Sequence, residues 1–428
     1  MERHSLLTWI VGAVILLFVA ILSKLLSKKI RIPYSIWLVF AGIIFEYLFA
    51  KCTDLHGMPL STSHDIIMYI LLPVLIFEAA LSINTRLLIN NLKPILILAI
   101  PGLIISTFFV GFFMNFLSPL DLGVAMLFGA LISATDPVAV ISIFKALGAP
   151  KRLTVLVDGE SLFNDATAIV MYQAVLSLVI SGTALSWLTL GKKAVGFLVV
   201  FFGGFLVGAI VSFVIVHIFK YMEEDPVLTT ALSVFIAYFS FIVSDHFLNL
   251  SGVMAALGAG IVASYYGKHL LRHKTKLALA EFWEFASFVA NSYVFLIVGI
   301  FGKQLIETVE DHFQLLGMIA LAIIAIIIGR FIIIYGLLPL TCRNEKDKVS
   351  RPYKHILFWG GLRGAVALAL AMSLPKTIEN RLEIIGITIG VVLFTLFVQG
   401  TTTRGIMNHL KINEPHKAKK DPQVQPEK

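Results

Sequence analysis

Charged residues are scarce in this chain, and cysteines are almost absent. Only 14% of the 428 residues are Asp, Glu, Lys or Arg, whereas 58% are hydrophobic and the mean hydropathy is +0.90. One soluble core could not bury so much apolar surface, so a soluble globular protein is excluded and an integral membrane protein is predicted. Cys52 and Cys342 fall in loops predicted on opposite sides of the membrane, so a disulfide between them is not expected.

The motifs of several enzyme classes are missing. The sequence has no His-Glu-x-x-His zinc motif, no Gly-x-Ser-x-Gly nucleophile turn and no Walker loop. An intramembrane aspartyl protease would need two acids that share a proton, but Asp136 precedes a proline, and two arginines lie in other spans. An enzyme is therefore not expected. Nucleic acid binding is not indicated either, because the Lys and Arg residues lie in short loops between apolar runs.

Thirteen apolar runs have the length of about 20 residues that crosses a bilayer. They are predicted at 6-23, 33-50, 66-83, 94-117, 121-147, 153-181, 194-219, 227-246, 251-267, 277-302, 313-340, 353-374 and 384-407. Basic residues, rather than a small-residue cleavage site, follow the first run, so a retained helix is expected there, with a signal peptide as the alternative. The chain is thus divided into a transmembrane domain at 1-408 and a short polar cytoplasmic tail at 409-428.

The basic residues predict the orientation of these spans. Most Lys and Arg residues lie in the loops of one side, with the pair Lys192 and Lys193 as the local exception. The basic side is the cytoplasmic one in membrane proteins. The amino terminus is therefore expected outside and the carboxyl terminus inside.

Six charged side chains deep within the predicted spans stand out. They are Glu78, Asp136, Glu160, Asp165, Arg330 and Arg363. A charged side chain at the centre of a spanning helix costs roughly 2.5 to 3.5 kcal/mol, so such residues are paired, hydrated or functional.

The densest polar cluster lies in the sixth span. Four side chains share one arc of this helix, and they are Glu160, Ser161, Asn164 and Asp165. Asp165 follows Arg152 by roughly 20 Å along the helix, which places it near the membrane midplane. A lone acid would more often be a structural partner of Lys or Arg, but four polar side chains on one arc favour a functional site. Asp158 is interpreted either as an attractor of cations or as a solvated end residue.

A proline interrupts the fifth span, in the stretch Ser133-Ala134-Thr135-Asp136-Pro137. Pro137 has no N–H and disfavours helical geometry at Asp136, so the helix is predicted to break here. A carboxylate beside the positive end of the following half-helix would be stabilised, and the freed carbonyl groups near Thr135 would suit a hard cation. A simple proline kink is the alternative.

Glycines surround Arg363 in the twelfth span, in Gly360-Gly361-Leu362-Arg363-Gly364. They indicate an interrupted or closely packed helix, and two interrupted helices in corresponding halves are typical of transporters built from inverted repeats. Arg330 requires a carboxylate partner, and Glu160 is the predicted one. Glu78 is interpreted as lining an ion path, with a structural role as the alternative.

These three stretches resemble the signature regions of the sodium/proton antiporters of the monovalent cation:proton antiporter-1 family, which includes NhaP-type antiporters and animal sodium/proton exchangers. Their order and spacing match the family across roughly residues 5-408. The resemblance implies an all-α integral membrane protein of about 13 helices with the inverted-repeat antiporter fold, in which the interrupted spans 5 and 12 cross. It also implies a homodimer, with a dimerisation part and a moving core part in each protomer.

The resemblance also implies the roles of individual residues. Those implied to bind the transported ion are Asp165, Asn164, Ser161, Glu78, Asp136 and Thr135, of which Asp165, Glu78, Ser161 and Thr135 would contact Na+. Those implied to form structural charge pairs are Glu160, Arg330 and Arg363, with Arg363 stabilising the crossing of the broken helices. Asn164 fills the position where the electrogenic relatives have a second aspartate.

The sequence therefore predicts a sodium/proton antiporter in the cell membrane of a prokaryote. It would exchange Na+, or Li+ or K+, for H+ by alternating access, with a role in pH regulation. Burial favours the neutral carboxyl group and a bound cation favours the charged one, so the two ions compete for one site. With Asn164 neutral, electroneutral 1:1 exchange is expected.

Other partners and functions are also considered. No cofactor is expected besides the transported Na+ and H+, and the expected partners are these ions, the lipid bilayer and a second copy of the chain. A cation channel or a potassium/proton exchanger is the alternative function, although no selectivity-filter loop is evident.

Overall fold

The computed structural model describes residues 14–27, 34–49, 66–181, 187–219, 225–267, 270–308, 311–344 and 347–412. The first thirteen residues, Cys52 and the predicted tail from residue 413 onward lie outside these ranges. Cys342 is buried and its thiol is free.

The described residues are helical almost throughout, and no strand occurs among them. In chain order the helices are α1 (Val14–Ser27), α2 (Tyr34–Phe49), α3 (Ile66–Ser82), α4 (Thr85–Asn90), α5 (Leu92–Leu117), α6 (Leu122–Ile132), α7 (Val138–Leu147), α8 (Lys151–Ser181), α9 (Trp187–Phe219), α10 (Pro226–Phe247), α11 (Gly252–Gly267), α12 (His273–Thr308), α13 (His312–Thr341), α14 (Arg351–Trp359), α15 (Ala365–Met372) and α16 (Arg381–His409). The pairs α6/α7 and α14/α15 are half-helices separated by non-helical residues.

Each predicted span overlaps one of these helices or a pair of half-helices, which confirms the predicted all-α architecture. Within the described ranges, seven helices are long and apolar enough to cross a bilayer by themselves, and they are α5, α8, α9, α10, α12, α13 and α16. Several helices extend beyond the predicted apolar run, as α12 does over 36 residues. The reason is that backbone hydrogen bonds continue a helix into polar flanking residues, which hydropathy does not register.

The outer surface of the helices is apolar. On α9, for example, the exposed side chains include Val195, Leu198, Val199, Phe202, Leu206 and Ile210. Soluble monomers rarely expose a contiguous apolar surface of this kind, whereas the hydrocarbon of a bilayer covers it. The surface therefore agrees with a multi-pass membrane protein.

The helices pack as two bundles. The first contains α5 to α8 and α13 to α16, and the second contains α2, α3 and α9 to α12. Helix α8 belongs to the first bundle but also packs against α3, α9 and α11 of the second. Asp165 therefore lies on a helix at the seam, where any relative movement of the bundles would change its surroundings.

Glycines bring two helices of the second bundle into backbone contact. A Cβ atom at Gly208 of α9 would lie 1.9 Å from the carbonyl oxygen of Ala255 on α11, and one at Gly258 would lie 2.3 Å from that of Phe205. Only glycine permits this approach, as is common where helices pack in membranes. The second bundle is thus closely packed at the contact between α9 and α11.

Candidate functional site

The two interrupted helices cross at their non-helical segments. Residues 133–137 separate α6 from α7, and residues 360–364 separate α14 from α15. The Asp136 N–H donates to the Leu362 carbonyl oxygen over 2.8 Å, so the backbones of the two breaks are joined. Both predicted interruptions are therefore present, and a simple kink at Pro137 is excluded.

The Asp136 carboxylate lies between the first residues of two half-helices. Its Oδ1 accepts a hydrogen bond from the Val138 N–H at the start of α7 (3.0 Å), and its Oδ2 accepts one from the Ala365 N–H at the start of α15 (3.4 Å). Helix N-termini carry partial positive charge, so one carboxylate stabilises both ends. The sequence predicts the contact with α7, whereas the contact with α15 arises from the tertiary structure.

Gly364 leaves the space that this contact needs. A Cβ atom there would lie 1.9 Å from Asp136 Oδ2. We expect Gly364→Ala to destabilise the purified protein by roughly 1 to 3 kcal/mol, the usual cost of overpacking, in thermal unfolding. Gly405→Ala is the matched control, because no heavy atom lies within 4 Å of its added Cβ. Equal stability of the two variants would mean that Asp136 does not hold α15 in place.

Arg363 ties the second break to the first. Its Nη1 donates to the carbonyl oxygens of Ser133 (2.8 Å) and Ala134 (3.0 Å), and its backbone N–H donates to Thr395 Oγ1 (3.1 Å) in a π-helical turn of α16. Arg363 thus lies at the crossing of the two interrupted helices. It also donates to two of the freed carbonyl groups that the sequence suggests for a cation.

Asp165 faces the first break from the middle of α8. Its Oδ2 lies 3.5 Å from Ser161 Oγ, and the Ser161 hydroxyl donates a short hydrogen bond to the Thr135 carbonyl oxygen. The charged groups that act on Asp165 are Asp136 and Arg363. The carbonyl of Thr135 therefore also accepts a hydrogen bond, whereas nearby side-chain oxygens have no partner among the described residues.

Three buried oxygen atoms around this point lack a hydrogen-bond partner among the described residues. They are Asp165 Oδ1, Asn164 Oδ1 and Thr135 Oγ1. A buried polar atom without a partner costs roughly 1 to 3 kcal/mol, and native proteins usually keep such atoms for a ligand or water. Oxygen atoms are the preferred ligands of hard cations. The arrangement can therefore hold a small cation, or a proton on the carboxylate.

Arg330 and Glu160 form a buried ion pair beside the second break. Both Nη atoms of Arg330 donate to the Glu160 carboxylate, one of them over 2.9 Å, and the two residues are 8% and 2% exposed. Arg330 Nε and Nη2 also donate to the Leu357 carbonyl oxygen at 3.1 and 2.7 Å. The partners paired from the sequence are thus in contact, and they join α8 and α13 to the end of α14.

Glu78 lies in a second polar group, towards the amino-terminal end of α8. The charged groups that act on it are Asp158, Glu284 and Lys145. This group brings α3 and α12 of the second bundle together with α7 and α8 of the first. Asp158 is thus among the charged groups that act on Glu78 in this conformation, whereas Asp165 is not.

The sequence pattern alone does not single out Glu284. The residue lies inside the predicted span 277–302. The sequence feature that could have identified it is an acidic residue within an apolar run. Its side chain is exposed on α12. An exposed acid does not need a buried partner, so the criterion of a buried charge does not identify Glu284. Its charge nevertheless adds to the acidic group around Glu78.

Comparisons with known proteins agree with this architecture. The family model of the transmembrane sodium/hydrogen exchangers matches residues 14–409. The chain is 36% identical to the Na(+)/H(+) antiporter ApNhaP of Aphanothece halophytica, over 95% of this chain and 75% of that protein. It is 31% identical to the Na(+)/H(+) antiporter NhaH of Halobacillus aidingensis, over 92% of this chain and 96% of that protein.

A solved structure shows the same fold. The sodium proton antiporter MjNhaP1 of Methanocaldococcus jannaschii, at pH 8, superimposes with a TM-score of 0.76 and 21% sequence identity, and the match covers 95% of this chain and all of that one. Together with the crossed half-helices, these matches confirm the family predicted from the three polar stretches: the chain belongs to the transmembrane sodium/hydrogen exchanger family.

Proposed function

We propose that this protein exchanges sodium ions for protons across a membrane, with the Asp165 carboxylate holding each ion in turn. The observation that carries the proposal is the group of unpartnered buried oxygens on Asp165, Asn164 and Thr135, beside two crossed half-helices. A carboxylate among such oxygens can hold a cation, and the same carboxylate can hold a proton instead. The names of the relatives ApNhaP and NhaH support the same activity.

Competition at one carboxylate couples the two ions. The Thr135 hydroxyl and the Asn164 amide oxygen supply neutral ligands, and Ser161 Oγ lies 3.5 Å from the Asp165 carboxylate. A cation that binds displaces the proton, and a proton that binds displaces the cation. Because Asn164 is neutral, the site gains one charge from either ion, and the exchange is electroneutral with a 1:1 ratio.

Movement of the two bundles along their seam provides alternating access. Asp165 and Asp136 lie in the first bundle, and Glu78 lies in the second. A displacement of the first bundle would present Asp165 to each face of the membrane in turn. At one end of this movement Glu78 would join Thr135 and Ser161 as a ligand of the cation.

The proposed setting includes the membrane, the orientation of the chain and its assembly. We place the protein in the cell membrane as a homodimer, with the amino terminus outside, the carboxyl terminus inside, a transmembrane domain at 1–408 and a cytoplasmic tail at 409–428. The basic residues of the loops support this orientation. Exchange of Na+ for H+ in this membrane would serve pH regulation.

Reconstituted vesicles test the exchange and the competition together. The purified protein is placed in vesicles with a pH gradient and a pH-sensitive dye, and Na+, Li+ or K+ is added. We expect Na+ to collapse the gradient, and the apparent KM for Na+ to rise as the pH is lowered, because protons then occupy more of the carboxylate. A KM independent of pH would contradict a shared site.

A membrane-potential dye tests the stoichiometry in the same vesicles. Electroneutral exchange leaves the potential unchanged while the pH gradient collapses, and clamping the potential with K+ and valinomycin leaves the rate unchanged. A potential that develops with Na+ addition would contradict 1:1 exchange. If no cation moved protons in vesicles that contain correctly folded protein, the proposed function would be wrong.

A further inference from the structure

A small cavity lies at the seam between the bundles, away from the acidic group around Glu78. It has a volume of about 30 Å³ and lies between α3, α8, α10 and α11. Its polar lining comes from Gln173, Asp245 and Ser251, and the rest of the lining is Met68, Tyr69, Phe241, Gly252 and Val253. A polar cavity of this volume holds one or two water molecules, which is also enough room for a partly dehydrated monovalent cation.

Asp165 lies midway between this cavity and the acidic group. Along α8, Asp158 precedes Asp165 by about 11 Å, and Gln173 follows it by about 12 Å. Helix α10 runs in the same direction as α8, since one span separates them, so Asp245 near its end lies on the same side as Gln173. The two polar regions thus flank the carboxylate on opposite sides.

The path from this cavity to the carboxylate is closed in the present conformation. Nearly all residues of α8 from Ala166 to Tyr172 are buried, and the amino-terminal half of α11, which packs against α8, is buried as well. The surface of the seam between Asp165 and Gln173 is therefore buried. Helices α8 and α11 belong to different bundles. A movement of one bundle against the other, as proposed for alternating access, would therefore separate them between Asp165 and Gln173.

We propose that the cavity lined by Gln173, Asp245 and Ser251 is the site through which the transported cation reaches Asp165 from the face opposite to Glu284. The inference rests on the proposed sodium/proton exchange. The Asp245 carboxylate attracts a monovalent cation, and the oxygens of Gln173 and Ser251 replace part of its hydration shell. Gln173 lies on the same helix as Asp165, so the site is coupled to the moving carboxylate.

A purely structural role of Asp245 is the competing interpretation. The residue lies next to the start of α11, since a Cβ atom at Gly252 would be 3.0 Å from the Asp245 Cβ. A carboxylate near a helix N-terminus stabilises that helix. Such a role would affect stability and both directions of transport equally. A cation access site instead predicts an effect on one face only.

Membrane vesicles of both orientations test the inference. Inside-out and right-side-out vesicles are prepared with the wild type, Asp245→Asn, Gln173→Leu and Asp121→Asn, and the KM for Na+ is measured with Na+ added outside. We expect Asp245→Asn to raise the KM roughly threefold or more when Na+ meets the Asp245 face, because the attracting charge is lost, and to leave the KM unchanged at the other face. Gln173→Leu should act on the same face with a smaller effect.

Asp121→Asn is the matched control for loss of one negative charge. Asp121 is exposed at the start of α6, on the same face as Asp245, and its side chain makes no cap hydrogen bond. We expect its KM to equal that of the wild type at both faces.

Three other results would contradict the proposed access site. An equal effect on both faces, a lower melting temperature without a one-sided KM change, or no effect of Asp245→Asn would overturn the access site while leaving the exchange itself intact. If Asp245→Asn does not fold, Gln173→Leu decides by the same comparison. A wild type that shows no exchange would instead refute the proposed function.

Discussion

Asp165→Asn is expected to abolish sodium-dependent proton movement in reconstituted vesicles, down to the level of empty vesicles. The substitution keeps the shape of the side chain but removes the group that can alternate between a proton and a cation. Ser161 and Thr135 remain in place, yet their neutral oxygens cannot exchange a proton for sodium at neutral pH. The pH-gradient assay with Na+, Li+ and K+ measures this loss.

A binding measurement separates loss of the site from loss of the fold. At a Na+ concentration of 100 times the Kd, binding would stabilise the wild type by about 2.7 kcal/mol. We expect this stabilisation to vanish in Asp165→Asn, while the variant without Na+ unfolds at a temperature similar to that of the wild type. Asp121→Asn, the exposed control, should retain both exchange and stabilisation. Full exchange by Asp165→Asn would mean that another carboxylate, such as Asp136, carries the ions.

Arg330→Gln is expected to destabilise the protein by roughly 3 to 5 kcal/mol, because it leaves the Glu160 carboxylate buried without its partner. Both residues are buried, and Arg330 also satisfies the Leu357 carbonyl oxygen at the end of α14. Loss of the arginine therefore weakens three helices at once. Thermal or denaturant unfolding of the detergent-solubilised protein measures the change.

The double variant Glu160→Gln/Arg330→Gln tests whether the effect comes from the unpaired charge. We expect it to be more stable than Arg330→Gln alone, because neither glutamine carries a charge that must be buried. The difference between the single and double variants gives the coupling energy of the pair. If the double variant were as unstable as the sum of the two single ones, the pair would act through packing rather than through charge.

The two interrupted helices show how much of a helix break can be predicted from neighbouring residues in the sequence. Pro137 cannot donate a backbone hydrogen bond, and it restricts the residue before it, so covalent geometry predicts a disturbed helix between α6 and α7. The structure decides between a kink and a break, because residues 133–137 are not helical. The glycines around Arg363 predict the second break less strictly, because an interrupted helix and a closely packed one share the same signal. The structure shows the interruption, and it also shows that Gly364 is needed for contact with Asp136.

The partners of the charged residues within the spans are harder to predict from the sequence. A buried arginine requires a carboxylate, and the arc of polar residues on α8 makes Glu160 a reasonable partner for Arg330. The position of Glu78 does not follow in this way, since it depends on the rotation and depth of α3 relative to α8 and α12. The freed carbonyl groups near Thr135 were also open to several partners, and Arg363 and Ser161 occupy them in the structure.

The sequence by itself determined the membrane class and the approximate spans, and it predicted the two interruptions, the candidate carboxylate and the family, because hydropathy, proline geometry and motif spacing are properties of the chain taken a few residues at a time. Only the tertiary structure decided that one carboxylate, Asp136, joins two half-helices and that Glu284 and Asp245 lie at opposite ends of the seam. These contacts join residues far apart in the chain. They depend on how whole helices are rotated and set in depth against one another, which no local pattern specifies.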